Sequence, residues 1–281
     1  MKECKRLIKG TLAVLMAAVL SLPFPAGVSA AGERLTIKGS TTVLPIAQAA
    51  AEEFMDKNPS TAISVQGGGS GVGIASLLDR TTDIADSSRK IKSEEIAKAG
   101  KSGVRPFENI VAMDGIAVVV HPTNPVSRLT RGQIKAVYTG RISNWSELGG
   151  RNLKIVVISR DTSSGTFESF EELALNKEKV RPDALTSASN GAVSQTVAQT
   201  PGAIGYLGLG YLTRKEKAVD VDGVKCTEAN VLAKKYPLSR PLYMYTNGAP
   251  QGTVKKFLDF VRGREGQALV KEAGFVPLPV K

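Results

Sequence analysis

Three short turns rich in serine, threonine and glycine contain the residues best suited to chemistry in this sequence. They lie at residues 39–42, 67–73 and 159–166, and each stands between a β-type run and a helical pattern. Such a turn offers free backbone N–H groups and the positive end of a helix dipole beside short hydroxyl donors, which is what an unhydrated oxyanion needs. The pattern therefore predicts an anion-binding site.

Helix capping is the alternative interpretation of each turn, because serine and threonine are preferred at the N-cap. Capping requires neither a run of glycines nor an arginine. The second turn nevertheless reads Gly-Gly-Gly-Ser-Gly-Val-Gly, and the third contains Arg160. Three such turns in one chain favour anion binding.

The elements that must position these turns alternate along the chain, which predicts an α/β fold. Apolar and β-branched runs predict strands at residues 35–37, 62–65, 83–85, 115–120, 154–158, 201–206 and 241–245. Amphipathic runs predict helices at residues 43–57, 73–78, 129–139 and 164–174, with a helix or helix pair at 254–273.

Composition and charge narrow the possible functions. The 281 residues have a formal net charge of +11, which suits nucleic acid, an acidic membrane surface or a small anion. Aromatic residues make up only 5% of the chain and the basic residues are scattered, so we expect no nucleic-acid partner. One histidine and two cysteines are too few for a zinc site. We expect no metal and no cofactor.

The sequence lacks the enzyme motifs that would suggest catalysis. The phosphate-loop pattern G-x-x-x-x-G-K-[ST] does not occur, and Val72 interrupts the G-x-S-x-G pattern around Ser70. We interpret His121 as a strand-end residue, Trp145 as a packing residue of a loop, and Cys226 as an inert thiol without a nearby base. We predict no catalytic residues.

Residues 1–30 have the pattern of a secretory signal peptide. A basic stretch at residues 2–9 precedes an apolar run, and cleavage is expected after Ala30 or Ala31. The apolar run is shorter than the roughly 20 residues that cross a bilayer, which disfavours a retained anchor, and Cys4 precedes the run, so we expect no lipid anchor. Cleavage removes four basic residues and one acidic residue and leaves a net charge of +8. We expect a soluble periplasmic protein.

The ordered set of motifs resembles the phosphate-binding proteins, the periplasmic solute-binding components of phosphate ABC transporters. The resemblance extends from about Arg34 to Pro277. The motifs that show it are Gly39-Ser40-Thr41-Thr42, Gly69-Ser70-Gly71, residues 83–89, Asn144-Trp145, residues 160–166, Asn190-Gly191-Ala192 and residues 201–206.

This resemblance implies a two-lobed periplasmic binding protein fold of type II, in which each lobe is a mixed sheet flanked by helices and the ligand lies in the cleft. Lobe one would comprise residues 31–118 and 243–281, and lobe two residues 119–242. The phosphate-binding residues transferred by motif are Ser40, Thr41, Thr42, Ser70 and Ser88 in lobe one, and Arg160, Ser164, Gly165 and Thr166 in lobe two.

The implied function is the binding of inorganic phosphate and its delivery to a membrane permease. Ligand that contacts both lobes would stabilise the closed form, which the permease then recognises. We expect a monomer.

The acceptor for the proton of hydrogen phosphate stays open at this point. Many phosphate-binding proteins have a carboxylate at the position of Ser88. Asp86 and Asp161 are the candidates in this chain, although Asp161 could instead orient the Arg160 guanidinium. Arg89 is either a further ligand or a surface charge.

Three alternative functions also remain open from the sequence. The first is a binding protein for another tetrahedral oxyanion, namely sulfate, molybdate or tungstate. The second is a secreted phosphate-ester hydrolase. The third is a surface or adhesion protein that reuses the fold, because a fold does not fix a function.

Overall fold

The computed structural model describes residues 33–280. The predicted signal peptide, residues 1–30, lies outside this range.

Strands and helices alternate along the described chain. The strands are β1 Glu33–Gly39, β2 Thr61–Gln66, β3 Ile84–Ser87, β4 Pro106–Val120, β5 Arg128–Leu129, β6 Val156–Arg160, β7 Leu185–Ser187, β8 Ala203–Gly208, β9 Lys217–Ala218, β10 Asp220–Val221 and β11 Ser239–Asn247. The helices are α1 Leu44–Lys57, α2 Ser70–Leu78, α3 Ser93–Lys101, α4 Arg131–Tyr138, α5 Gly165–Leu173, α6 Asn190–Gln199, α7 Glu228–Leu232, α8 Gly252–Arg262 and α9 Arg264–Glu272.

One long mixed sheet runs through the molecule in the strand order β2-β1-β3-β11-β4-β8-β6-β7, with β9 paired to β4. The strands β1, β2 and β3 are parallel, and so are β6, β7 and β8. The strand β11 lies antiparallel to both β3 and β4. The two central strands β4 and β11 therefore join two parallel halves.

The two halves of the sheet have separate hydrophobic cores, which define two lobes. Lobe one packs its helices α1, α8 and α9 on the half formed by β1 to β3, around Leu35, Ile37 and Met244. Lobe two packs α4, α5 and α6 on the half formed by β6 to β8, around Ile158 and Phe170. The lobe boundaries predicted after residues 118 and 242 stay a prediction.

The chain passes between the lobes inside β4 and β11. Val111 and Ala112 pack in the core of lobe one, and Val118 packs in that of lobe two. Likewise, Leu238 belongs to the core of lobe two and Leu242 to that of lobe one. Residues between these points on β4 and β11 lie at the junction of the lobes.

All the strands and helices expected from the sequence are present, but several boundaries differ. The helix α2 begins at Ser70 rather than at residue 73, so that Ser70 stands in its first turn. The strand expected at 115–120 is the end of the longer β4. The run 254–273 is a helix pair that breaks at Gly263. The sequence reasoning missed α3, α6 and α7.

Gly73 tests the packing of α2 against the sheet. A Cβ at this position would lie 2.5 Å from Lys38 O and 2.7 Å from Gly39 Cα. We expect Gly73→Ala to lower the free energy of unfolding by about 1–3 kcal/mol, the range for overpacking, as measured by chemical denaturation.

Gly100→Ala is the matched control. Gly100 lies in α3, and a Cβ there would meet nothing within 4 Å among the described residues. Alanine should be neutral or stabilise by up to about 1 kcal/mol, because it is the better helix former. Equal effects of the two substitutions would contradict the packing account.

Candidate functional site

The three predicted turns lie together at the junction of the two lobes. Gly71 N of lobe one donates to Ser163 O of lobe two over 2.9 Å, and Ser163 Oγ donates to Gly68 O over 3.0 Å. The hydroxyl oxygens of Thr42 and Thr166 lie 2.8 Å apart. Both lobes therefore contribute to one site.

The turn between β1 and α1 uses part of its polar groups internally. Ser40 Oγ accepts from Thr42 N over 3.1 Å and from Val43 N over 3.4 Å, and Ser40 N donates to Asp86 O over 2.9 Å. The amides of Ser40 and Thr42 are thus committed within lobe one. The hydroxyls of Thr41 and Thr42 instead bond to side chains of lobe two.

The start of α2 faces the start of α5. The fully buried Ser70 Oγ accepts from Ser88 N over 3.0 Å and lies 3.4 Å from Ser88 Oγ. A Cβ at Gly165 would lie 2.2 Å from Ser70 Oγ. This approach between the lobes therefore requires a glycine.

The turn between β6 and α5 combines capping with free donors. Ser164 Oγ accepts from Phe167 N over 3.2 Å, which is an N-cap hydrogen bond. The amides of Gly165 and Thr166 lie in the first helical turn, where no helical acceptor is available to them. Both capping and anion binding, the two interpretations of this turn, are compatible with this geometry.

Arg160 places a positive charge inside the site. Its side chain is almost fully buried, and Nε and Nη2 donate to Ser187 O and Ala188 O over 3.0 and 3.1 Å. Nη2 also donates to Thr41 Oγ1 over 3.4 Å. Nη1 has no hydrogen-bond partner among residues 33–280. Burial lowers the pKa of Arg160, yet a guanidinium stays charged in proteins.

The two candidate carboxylates have different surroundings. Asp161 is one-third exposed, and its Oδ1 accepts from Ser163 N over 3.0 Å and from the Ser163 hydroxyl. Its Oδ2 lies 3.7 Å from Arg160 Nη2. Asp161 therefore orders its own turn and lies beside the guanidinium.

Asp86 is buried, and neither of its carboxylate oxygens has a hydrogen-bond partner in the described chain. Burial raises the pKa of Asp86 well above its usual value. An ionised carboxylate without a partner is costly in such a place.

The sequence reasoning missed three buried polar residues of this site. Asn190, at the start of α6, donates from Nδ2 to Thr41 Oγ1 and Thr42 Oγ1 over 3.1 Å each. Arg240 of β11 forms an ion pair with Asp114 of β4. The only sequence signal was the family-like motif around Asn190, because the other two residues lie 126 positions apart.

Arg89 joins the two lobes beside the site. Its guanidinium donates twice to Glu95 of α3, each over 2.8 Å, and its Nε lies 2.8 Å from Glu168 of α5. Lys92 also pairs with Glu168 over 2.9 Å. Arg89 is therefore neither an isolated surface charge nor, with these partners, an obvious ligand.

Other residues singled out in the sequence serve the fold. Trp145 is buried and donates its indole N–H to Gly202 O over 2.9 Å, which confirms a packing role. His121 follows the last residue of β4 and pairs with the Thr123 hydroxyl over 2.9 Å. Burial raises the pKa of the Cys226 thiol, which makes it unreactive.

Comparison with known proteins assigns the chain to a family. A family model described as a PBP superfamily domain matches residues 25–265. The phosphate-binding protein PstS of Bacillus subtilis is 37% identical over 254 residues, which cover 90% of this chain and 83% of that protein. The chain belongs to the PstS family of phosphate-binding proteins. The PstS family member from Pseudomonas aeruginosa is 32% identical and is covered over 88% of its length.

Solved structures similar to this PstS family member have the same fold. A phosphate ABC transporter substrate-binding protein from Clostridium perfringens, solved with bound phosphate, is 36% identical with a TM-score of 0.82, and the match covers 88% of this chain and 100% of that one. An ABC-type phosphate transport receptor from Vibrio cholerae is 33% identical with a TM-score of 0.73, covering 87% and 100%. The predicted two-lobed periplasmic binding protein fold is confirmed.

The described part of this PstS family member lacks membrane-spanning helices and clustered metal ligands. Within residues 33–280, no helix is long and apolar enough to cross a membrane. In the same range, no group of three histidine, cysteine, aspartate or glutamate side chains is placed to hold a metal ion.

Asp86 gives a prediction for the ligand-free protein. Its folded-state pKa lies above the unfolded value of about 4, so the folded state binds this proton more tightly than the unfolded state. The resulting contribution to folding stability is fully present below the unfolded-state pKa of about 4. It is lost as the pH rises through the folded-state pKa. We expect Asp86→Asn to be more stable than the wild type at neutral pH.

Chemical denaturation at several pH values measures this effect. The stability difference between Asp86→Asn and the wild type should grow by up to about 1.4 kcal/mol per pH unit above pH 4, then level off. The matched control Asp83→Asn changes an aspartate of the same segment that accepts hydrogen bonds from Thr36, and it should show no such gain. A difference for Asp86→Asn that does not change with pH would contradict the account.

Proposed function

We propose that this chain binds inorganic phosphate between its lobes and delivers it to the permease of an ABC transporter. The observation that supports this most strongly is Arg160 Nη1, a buried cationic nitrogen without a partner in the described residues. A buried charge is stable only when it is paired. Asp161 lies 3.7 Å from Nη2, and a small anion among the surrounding hydroxyls would give Nη1 the partner that it lacks.

The arrangement of donors suits a tetrahedral oxyanion. The hydroxyls and free amides come from both lobes, so an ion between them would bond to both and favour the closed form. The proposed ligands are the nine residues predicted from the sequence. Ser40 contributes only its hydroxyl because its amide is bound to Asp86 O. Thr42 acts through Thr166, because its amide is bound to Ser40 Oγ and its hydroxyl lies 2.8 Å from that of Thr166.

The energies are sufficient for tight binding. Micromolar affinity requires about 8 kcal/mol, and a charge-assisted hydrogen bond contributes about 1.5–3 kcal/mol. Several such bonds exceed this requirement and leave a margin for desolvation and closure.

The relatives support phosphate as the anion. The curated relatives are named phosphate-binding protein PstS at 32–37% identity, and the Clostridium perfringens structure contains bound phosphate. In keeping with these names, we propose a monomeric, non-catalytic protein that is exported by the signal peptide and acts in the periplasm.

Calorimetry of the ligand-stripped protein tests the function. Phosphate and arsenate should bind at one site per chain, and sulfate and molybdate more weakly. The same protein should leave a chromogenic phosphomonoester intact. Absence of phosphate binding, or turnover of the ester, would contradict the proposal.

Arg160→Lys tests the principal charged ligand. Lysine keeps the charge but loses the planar pair of donors, so we expect phosphate affinity to fall at least about tenfold, roughly 1.4 kcal/mol, by calorimetry. Arg181→Lys is the matched control, because Arg181 is another arginine of lobe two and pairs with Asp183. An Arg160→Lys affinity within twofold of the wild type would remove Arg160 from the site.

Asp86 is our candidate for the acceptor that distinguishes phosphate from sulfate. Its carboxylate lacks a partner among residues 33–280, and its backbone holds Ser40, the first proposed ligand. Hydrogen phosphate brings a proton that such a carboxylate can accept, whereas sulfate has none to give. Asp161 already has hydrogen-bond donors in its own turn, so we assign it to orienting Arg160.

At a pH at which Asp86 is ionised, Asp86→Asn should therefore narrow the gap between phosphate and sulfate affinity by about 1–3 kcal/mol, the penalty for an unsatisfied buried group. In the wild type, sulfate should bind more weakly as the pH rises, because burial keeps the pKa of Asp86 high and sulfate requires its protonated form. Calorimetry with both anions across a pH series measures this.

Asp161→Asn is the control for this selectivity test and should weaken both anions alike. If only Asp161→Asn changes the ratio of the two affinities, the acceptor is Asp161. If neither does, both assignments are wrong.

A further inference from the structure

Arg240 is buried at the point where β11 passes between the lobes, and every one of its donors is used. Nε and Nη2 donate to Asp114 Oδ2 over 3.0 and 2.9 Å. Nη1 donates to Ser88 O of lobe one over 3.0 Å and to Gly165 O of lobe two over 3.3 Å. Nη2 also donates to Thr166 Oγ1 over 3.0 Å and reaches the Thr42 hydroxyl at 3.4 Å. A guanidinium has five N–H groups for these six contacts, so one Nη2 hydrogen is shared between Thr166 and Thr42, and none is left for a ligand.

Asn190 is engaged in the same way from lobe two. Its two Nδ2 hydrogens go to the hydroxyls of Thr41 and Thr42, and its Oδ1 accepts from Gly208 N over 3.1 Å. The amide orientation is therefore fixed by a backbone donor. Asn190, like Arg240, acts on neighbouring hydroxyls.

Counting lone pairs fixes the direction of these hydroxyls, because a hydroxyl accepts at most two hydrogen bonds and donates one. Thr41 Oγ1 accepts from Arg160 and Asn190. Thr42 Oγ1 accepts from Asn190 and, at 3.4 Å, the longer branch of a three-centre hydrogen bond from Arg240 Nη2, whose shorter branch goes to Thr166. Each oxygen has both of its acceptor positions filled, so each O–H has to donate.

The Thr166 hydroxyl is constrained in the same way. The Thr42 hydroxyl donates to Thr166 Oγ1, which lies 2.8 Å away, and Arg240 fills the second acceptor position of Thr166. The O–H groups of Thr41 and Thr166 then have to donate, and neither has an acceptor among the described residues.

We propose that Arg240 and Asn190 are positioning residues that turn the hydroxyls of Thr41 and Thr166 into obligatory donors towards the ligand, with Thr42 donating to Thr166 rather than to the ligand. This inference rests on the proposed function. The site then favours an oxyanion that presents unprotonated oxygens to Thr41 and Thr166, and the single proton of hydrogen phosphate has to lie on another oxygen. Because Arg240 bonds to both lobes, this orientation exists only in the closed form.

A double-mutant cycle tests the role of Arg240, with phosphate affinity measured by calorimetry. Arg240→Lys keeps the charge beside Asp114 but loses the fork, and it should lower affinity about tenfold in the wild type. In a Thr166→Val background, where the hydroxyl is absent, the same change should cost less than about threefold. Thr166→Ser restores the hydroxyl and should restore the larger loss.

A second double-mutant cycle leaves the buried Arg240–Asp114 ion pair intact, so it tests the proposal even if Arg240→Lys does not fold. Asn190→Ala should lower affinity at least about fivefold in the wild type and less than about twofold in a Thr41→Val background. Gln267→Met is the control for stability alone. Gln267 is a buried polar residue that bonds to Val111 O and Val261 O, and its loss should leave affinity within twofold.

The two proposals fail in different ways. If the wild type binds no phosphate, the proposed function is wrong. If the wild type binds phosphate but the losses multiply independently in the cycles, the hydroxyls are not oriented by these residues and only this inference is wrong.

Discussion

An incompletely paired guanidinium is the constraint on which the rest of this structure depends. Arg160 is held by two carbonyl groups of its own lobe, and Nη1 has no partner in the described chain. Asp161 lies 3.7 Å from Nη2, and under the proposed function the anion supplies the partner that the buried Nη1 lacks. In the proposed function, the turns, the free helical amides and the two-lobed architecture bring donors of both lobes around one anion.

The crossing strands make this arrangement cooperative. Arg240 and Asp114 lie where β11 and β4 pass between the lobes, and together they contact groups of both. Burial disfavours the charged form of each partner, lowering the pKa of Arg240 and raising that of Asp114. A buried ion pair of this kind is by itself weak evidence that the pair stabilises the folded protein. At the edge of the site, Arg89 and Glu168 add a contact between the lobes that separation would break.

Local sequence patterns predicted the three turns and most of the longer elements, but not α3, α6, α7 or the short strands β5, β7, β9 and β10. Alternation of apolar runs predicted the strands, and Ser, Thr and Gly between them predicted the sites where helices begin. The pattern could not show that the Ser40 amide donates to Asp86 O, because that hydrogen bond joins the residue after β1 to β3. The sequence also could not predict the role of Arg240. Its partners Asp114, Thr42 and Thr166 are distant in sequence, and the β4–β11 pairing brings them together. Asn190 opens a helix that the sequence reasoning missed.

A crystal structure of the phosphate-loaded protein tests the central claim most directly, because it locates the ion relative to Arg160. One phosphate should lie with an oxygen about 3 Å from Arg160 Nη1, and with hydroxyl or amide donors of both lobes on its other oxygens. A phosphate that contacts only one lobe, or that leaves Arg160 Nη1 without a partner, would contradict the account.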